Sequence, residues 1–123
     1  MIKVIEFAFT GYPVTDMARA RQFYESVLGL KPASTWEHEG KSWIEYEVGP
    51  SCLALTNLAP EWRPSTQGPS LALEVENFDA AVAELKRIGA RFTVEPMESP
   101  ACRLAVILDP DGNSLAIHKR NPA

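Results

Sequence analysis

Shifted by 61 positions, the sequence lies over itself: Val14-Thr15-Asp16-Met17-Ala18-Arg19-Ala20 falls on Val75-Glu76-Asn77-Phe78-Asp79-Ala80-Ala81. At a shift of 62, Leu53-Ala54-Leu55 falls on Leu115-Ala116-Ile117. The shift is half of the 123 residues, so the chain reads as two copies of one unit of about 55 residues. Both copies fit in a single domain of ordinary size, ~100–150 residues.

The first copy, residues 5–57, opens on the apolar, β-prone run Ile5 to Tyr12, which predicts a strand. Thr15-Asp16 offers a helix N-cap. Met17, Ala20, Phe23, Tyr24, Val27 and Leu28 follow at helical spacing, and Gly29 stands where a helix-ending glycine belongs. Residues 31–37, 43–48 and 51–57 then read as strands, with turns at Glu39-Gly40 and Gly49-Pro50. The second copy, residues 70–119, repeats this order. It gives a strand at 70–75, a helix capped by Asn77 and ending at Gly89, a short strand at 91–95, and strands at 102–108 and 113–118 around the turn Asp109–Gly112. Residues 58–69, rich in Pro with Ser, Thr and Gly, form a linker. Each copy is βαβββ, and the fold class is α+β.

Composition closes off several functions. Apolar residues at 46% and charged residues at 23% are those of a globular chain, which excludes disorder for its bulk. No stretch approaches the ~20 apolar residues of a membrane span. The start, MIKVIEFAF, reads as a first strand and not as a signal peptide. Twelve basic residues against 16 acidic give a net charge of −4, with no basic stripe for phosphates, so nucleic acid is excluded as a partner. Cys52 and Cys102 form no CxxC, and free thiols in a cytoplasmic setting are expected.

Tyr12-Pro-Val-Thr-Asp-Met17, followed by Gln22-Phe-Tyr-Glu-Ser-Val-Leu-Gly-Leu30, resembles the opening of the vicinal oxygen chelate superfamily. Asp109-Pro-Asp-Gly-Asn113 with Leu115-Ala-Ile-His118 resembles its closing signature. This is the superfamily of glyoxalase I, bleomycin-resistance proteins and extradiol dioxygenases. The resemblance covers nearly the whole chain. It implies two βαβββ modules pairing so that eight strands enclose a cleft, helices outside, and commonly a homodimer.

Metal-dependent members hold a divalent ion on His or Glu from the first and last strand of each module. The corresponding positions here are Phe9, Ala54, Ser70 and Ala116. Phe and Ala have no lone pair to give and Ser is a poor ligand for Zn²⁺, Ni²⁺ or Fe²⁺, so no metal and no other cofactor are expected. The neighbours Ala8, Thr10, Leu53, Leu55, Leu71, Leu115 and Ile117 do not supply donors either.

Strand alternation places further residues beside those four. If they face the cleft, so do Phe7, Ala72, Glu74 and His118. A two-residue turn at Gly49-Pro50 pairs Val48 with Ser51, setting Glu45 opposite Ala54 and Glu47 opposite Cys52, with Trp43 on the same side. Carried to the second module, this register puts Arg103, Ala105 and Ile107 on the cleft side. The expected ligand-binding set is therefore Phe7, Phe9, Trp43, Glu45, Glu47, Ser70, Glu74, Arg103 and His118, with Glu45, Arg103 and His118 as acid–base candidates. Each also has a plain structural reading: His118 as a strand-end histidine, the glutamates as rim charges, the aromatics as filling. Trp62, between Glu61 and Arg63, reads as a ring lying on the surface. Aromatic faces beside carboxylates favour a flat aromatic or cationic organic molecule. The alternative is a glyoxalase-like lyase or isomerase, or a dioxygenase-like enzyme, with a non-standard metal site or metal-free acid–base chemistry.

Overall fold

A computed structural model of the chain describes residues 1 and 3–122. The chain divides into two compact units between Pro64 and Ser65, inside the predicted linker. The first unit holds strand β1 (Thr10–Pro13), helix α1 (Met17–Arg21) continuing into a wide helical turn (Gln22–Val27), and strands β2 (Pro32–His38), β3 (Lys41–Val48) and β4 (Ser51–Thr56). The second holds β5 (Leu71–Glu74), α2 (Phe78–Arg87), β6 (Arg91–Glu98), β7 (Cys102–Leu108) and β8 (Ser114–Arg120). Each unit is one four-stranded sheet, in the orders β1-β4-β3-β2 and β5-β8-β7-β6. The first strand of each unit runs parallel to the last, and the remaining neighbours are antiparallel. The α+β class and the doubled βαβββ order follow as the sequence predicts.

Both helices begin at the predicted caps. Asp16 Oδ1 accepts the Arg19 N–H at 3.1 Å, and Asn77 Oδ1 accepts the Ala80 N–H at 3.0 Å. Both end at glycines in the left-handed region, Gly29 at φ 73° and Gly89 at φ 79°. The first helix departs from expectation in its second half. There the Leu28 N–H reaches back five residues to the Phe23 carbonyl at 3.0 Å, a π-type turn in which Phe23 and Tyr24 are both buried.

Two strands differ in extent from the reading of the sequence. Residues 5–9 are not in β1. Its one partner among the described residues, β4, starts at Ser51, and Thr10 pairs with Leu53, so a ladder continued upstream runs out of partner at Ala8. Val4, Ile5 and Phe7 are consequently exposed, Phe7 at 98%. Conversely β6 runs three residues past Glu95. Its pairing with β7 skips Pro96 at an irregularity between Val94 and Met97, which suits an edge strand containing a residue with no N–H.

In each unit the helix covers one face of the sheet. Tyr12, Ile44, Tyr46, Leu53 and Leu55 are buried on the first sheet, as are Leu73, Ala105, Ile107, Leu115 and Ile117 on the second. The ring of Tyr24 stacks on that of Tyr46, with centroids 6.4 Å apart. A polar network is built into this packing. The Tyr46 hydroxyl donates to Glu25 Oε2 at 2.7 Å, and Arg21 Nε donates to the same oxygen at 2.6 Å. Burial disfavours the Glu25 charge, but the hydrogen bonds from Arg21 and Tyr46 outweigh it and hold the carboxyl below its ordinary range.

A folded-state value below the unfolded one means that the Glu25 contribution is full above the unfolded pKa of about 4.3 and is lost as pH falls through the folded value. Urea unfolding of Glu25→Gln is expected to show a loss of about 1–2 kcal/mol at pH 7 that narrows on acidification below pH ~4. A deficit independent of pH would show that the Glu25 charge contributes nothing.

Candidate functional site

The face of each sheet turned away from its helix carries the side chains of interest. On the first sheet the ladder pairs Val48 with Ser51, Glu47 with Cys52, Glu45 with Ala54 and Trp43 with Thr56, the register read from the Gly49-Pro50 turn. Glu45, Glu47, Cys52 and Ala54 therefore share a side with Trp43, and Trp36 stands opposite Trp43 on β2. Burial, followed by the charges of Glu45 and Glu47, raises the Cys52 thiol pKa.

An aromatic group gathers on this side. The Phe9 ring meets the Trp43 ring edge-on, with centroids 5.1 Å apart and planes at 82°. The Trp43 indole N–H donates to Glu45 Oε2 at 2.8 Å, which fixes both the ring and the carboxylate. Gly11 of β1 lies beside them. A Cβ placed there would be 3.5 Å from Phe9 and 3.6 Å from the Trp62 ring, so Trp62 approaches the same spot. Phe9 and Trp62 each remain about half exposed. Trp62 and Gly11 were absent from the expected set. The one signal for Trp62 was a large ring in a polar linker, and Gly11 in a strand could mark a close approach. Phe7, expected beside Phe9, lies outside any strand and makes no ring contact among the described residues.

The second sheet corrects the expected register of β7. Leu104 pairs with His118 and Val106 with Ala116, so these residues share the open side with Ala72 and Glu74. Arg103, Ala105 and Ile107 lie on the other side, under the helix. The guanidinium of Arg103 covers the Phe78 ring at 4.6 Å and binds Asp79 Oδ1 at 2.7 Å. The expectation moved Trp43 and Glu45 by 62 positions onto Ala105 and Ile107. That shift fits β8, whereas β7 follows the shift of 61 that fits the helix. The odd residue is absorbed at the β7–β8 turn, where Asp109 Oδ1 accepts the N–H groups of Asp111 and Asn113, both at 2.9 Å.

Glu74 and His118 do come together. His118 Nδ1 lies 2.5 Å from Glu74 Oε1, and Glu74 Oε2 accepts the Arg120 N–H at 2.7 Å. The Arg120 N–H, then His118, lower the Glu74 carboxyl pKa. Ser70, just before β5, accepts a hydrogen bond from the Ser114 hydroxyl at 2.9 Å.

The sequence model of the Glyoxalase/Bleomycin resistance protein/Dioxygenase superfamily matches residues 6–117. The chain belongs to this superfamily. It is 30% identical over 112 residues to the anthracycline biosynthesis protein DnrV of Streptomyces peucetius, and 28% over 109 residues to DauV of Streptomyces sp. (strain C5). These matches cover 85% and 83% of the chain but only 38% and 37% of those proteins, so the chain spans little more than a third of their length. Among solved structures, TnmS3, an antibiotic binding protein from Streptomyces sp. CB03234, superposes with a TM-score of 0.77 at 21% identity, covering 98% of this chain and all of that one. The trypanothione-dependent glyoxalase I of Leishmania major superposes at 0.76 with 22% identity, over 94% of this chain and 87% of that one. At these identities the likeness is one of fold.

The positions that carry metal ligands in the metal-dependent members of the superfamily do not fit a metal here. Phe9 is engaged edge-on with Trp43, Ala54 and Ala116 offer only methyl groups, and the Ser70 hydroxyl is bonded to Ser114. Among the described residues no three His, Cys, Asp or Glu side chains converge on a point. Elemental analysis of dialysed protein is expected to find no stoichiometric zinc, nickel or iron. One equivalent retained, and lost on chelation together with thermal stability, would show a metal site built from other residues.

Proposed function

We propose that the protein binds a flat aromatic organic molecule carrying positive charge, and sequesters it without a metal. The observation that carries this reading is the group Phe9, Trp43 and Trp62 around Gly11, with the Glu45 carboxylate fixed on the Trp43 indole. Indole and phenyl faces offer apolar area and negative quadrupoles, which suit both a planar ring system and a cation. Glu45 and the exposed Glu47 on the same face add attraction for positive charge, as does the net charge of −4. An antibiotic binding protein of the same fold and two anthracycline biosynthesis proteins among the similar proteins support a small organic ligand.

Isothermal calorimetry with daunorubicin, a flat tetracycle bearing an amino sugar, and with anthraquinone-2-sulfonate, a flat anion, tests the reading. The cation is expected to bind more tightly. Trp43→Ala is expected to weaken it by about 2 kcal/mol, roughly thirtyfold, and Glu45→Gln by roughly fivefold. Equal or tighter binding of the anion, or two silent variants, would defeat the proposal.

The binding form we propose is a cytoplasmic homodimer. Every residue of the edge strand β2 is exposed, and edge strand β6 is exposed at all residues but Phe92. Exposed edges of this length invite pairing with another chain, and a second copy covers them by symmetry. Light scattering at high micromolar concentration is expected to give twice the chain mass. A monomer there would contradict the dimer while leaving the ligand reading to calorimetry.

A further inference from the structure

The open face of the second sheet is patterned differently from that of the first. Val94 and Met97 of β6 pair with Val106 and Leu104 of β7, and Ala72 pairs with Ala116 across β5 and β8. Val94 and Met97 are exposed and Leu104 and Val106 half-buried, so this is an aliphatic surface open to contact. At one end of it stand Glu74 and His118, neighbours in the parallel ladder, with Leu104 facing His118 across the next strand. The next cross-strand pair on that side of β7 and β8 is Cys102 with Arg120.

The hydrogen bonds fix the state of the imidazole. Glu74 Oε2 accepts the Arg120 N–H, which with His118 holds the carboxyl below its ordinary range and so ionised, and Oε1 lies beside His118 Nδ1. A carboxylate accepts and does not donate, so the proton of a neutral ring must sit on Nδ1. Nε2 then holds a lone pair. It has no hydrogen-bond partner among the described residues, and the side chain is 25% exposed.

We propose that His118, positioned by Glu74, accepts a proton at Nε2 from an acidic hydroxyl, a phenol or an enol, of a molecule lying on the Val94–Met97–Leu104–Val106 surface. The O–H bond breaks, its electron pair stays on oxygen, and the proton forms the new Nε2–H bond. The imidazolium keeps its Nδ1–H on the Glu74 carboxylate, and its Nε2–H pairs with the oxyanion. The step reverses on release and needs no oxidant or co-reactant. A molecule lying on the aliphatic surface would itself displace water from the ion pair and so strengthen it. The inference stands on the second unit alone and does not rest on the aromatic group of the first.

The probe is 4-nitrophenol, which absorbs in the visible only as its anion. Added wild-type protein is expected to raise the phenolate band at a pH below the probe's own pKa, with the ionisation constant of the bound phenol raised roughly tenfold. Glu74→Gln is expected to lose most of that gain and His118→Gln all of it. Nitrogen-15 NMR of the wild type is expected to show His118 as the Nδ1–H tautomer, a readout that needs no variant to fold. No phenolate gain with wild-type protein, an undiminished gain in His118→Gln, or a neutral ring protonated at Nε2 would each overturn the proposal.

Discussion

A single helix can cover only one face of a four-stranded sheet. In both units of this chain the loop from first strand to helix is a few residues long and ends on a capping side chain, Asp16 or Asn77, so the helix is committed to one side. The residues beneath it are large and buried, Tyr46 and Leu55 in the first unit, Ile107 and Ile117 in the second. The opposite side receives no helix from its own unit among the described residues, and there strand alternation places side chains that a core excludes: Glu45, Glu47, Glu74 and His118. The chemistry available to the protein follows from that asymmetry.

The parts of this plan written in local chemistry could be read directly from the sequence. Asp16 and Asn77, Gly29 and Gly89, and the Gly49-Pro50 turn each act within a few residues, so the helices, their ends and the β3–β4 register were all predictable. The parts set by distant partners were not. Ile5–Phe9 has strand composition, but strand formation depends on where β4 begins. Arg103 alternates as either face allows, and only the extra residue at the Asp109–Asn113 turn decides that it lies under α2. Its long apolar stem and planar head suit that place, packed on Phe78 and tied to Asp79. Trp62 reaches the site from outside any strand, where periodicity has nothing to say.

The candidate site itself was half legible for the same reason. The register that sets Glu45 opposite Ala54 is local, whereas the parallel pairing that brings Glu74 to His118 joins residues 44 apart, of which alternation gave only the common face. The bond from the Trp43 indole to Glu45 joins residues two apart on one strand and needs only their common side. The edge-on contact of Phe9 with Trp43 requires residue 9 to lie over the sheet without belonging to it, a placement that no pattern of alternation encodes.

The two units also share a feature that ties their open faces to the repeat. Gly11 pairs with Ala54 in the first, and Ala72 with Ala116 in the second, the same two positions one repeat apart. Each pair sets two of the smallest side chains next to each other where a parallel first and last strand meet. At this point a bulky residue would fill the face. A ligand atom that would otherwise pay for side-chain displacement can instead approach the backbone closely. In the first unit the space beside the small pair is bordered by Phe9 and Trp62, and a single added methyl on Gly11 would already touch both. In the second, the small pair is followed directly by Glu74 and His118 along the same strands. Of the four positions at which metal-dependent members of the superfamily present ligands, Ala54 and Ala116 belong to these small pairs, whereas Phe9 is a ring set against Trp43 and Ser70 is bonded to Ser114. A methyl group stands in each unit where a metal donor would otherwise be, beside the rings of Phe9 and Trp62 in one and beside Glu74 and His118 in the other, so the character of each open face is set by these neighbours.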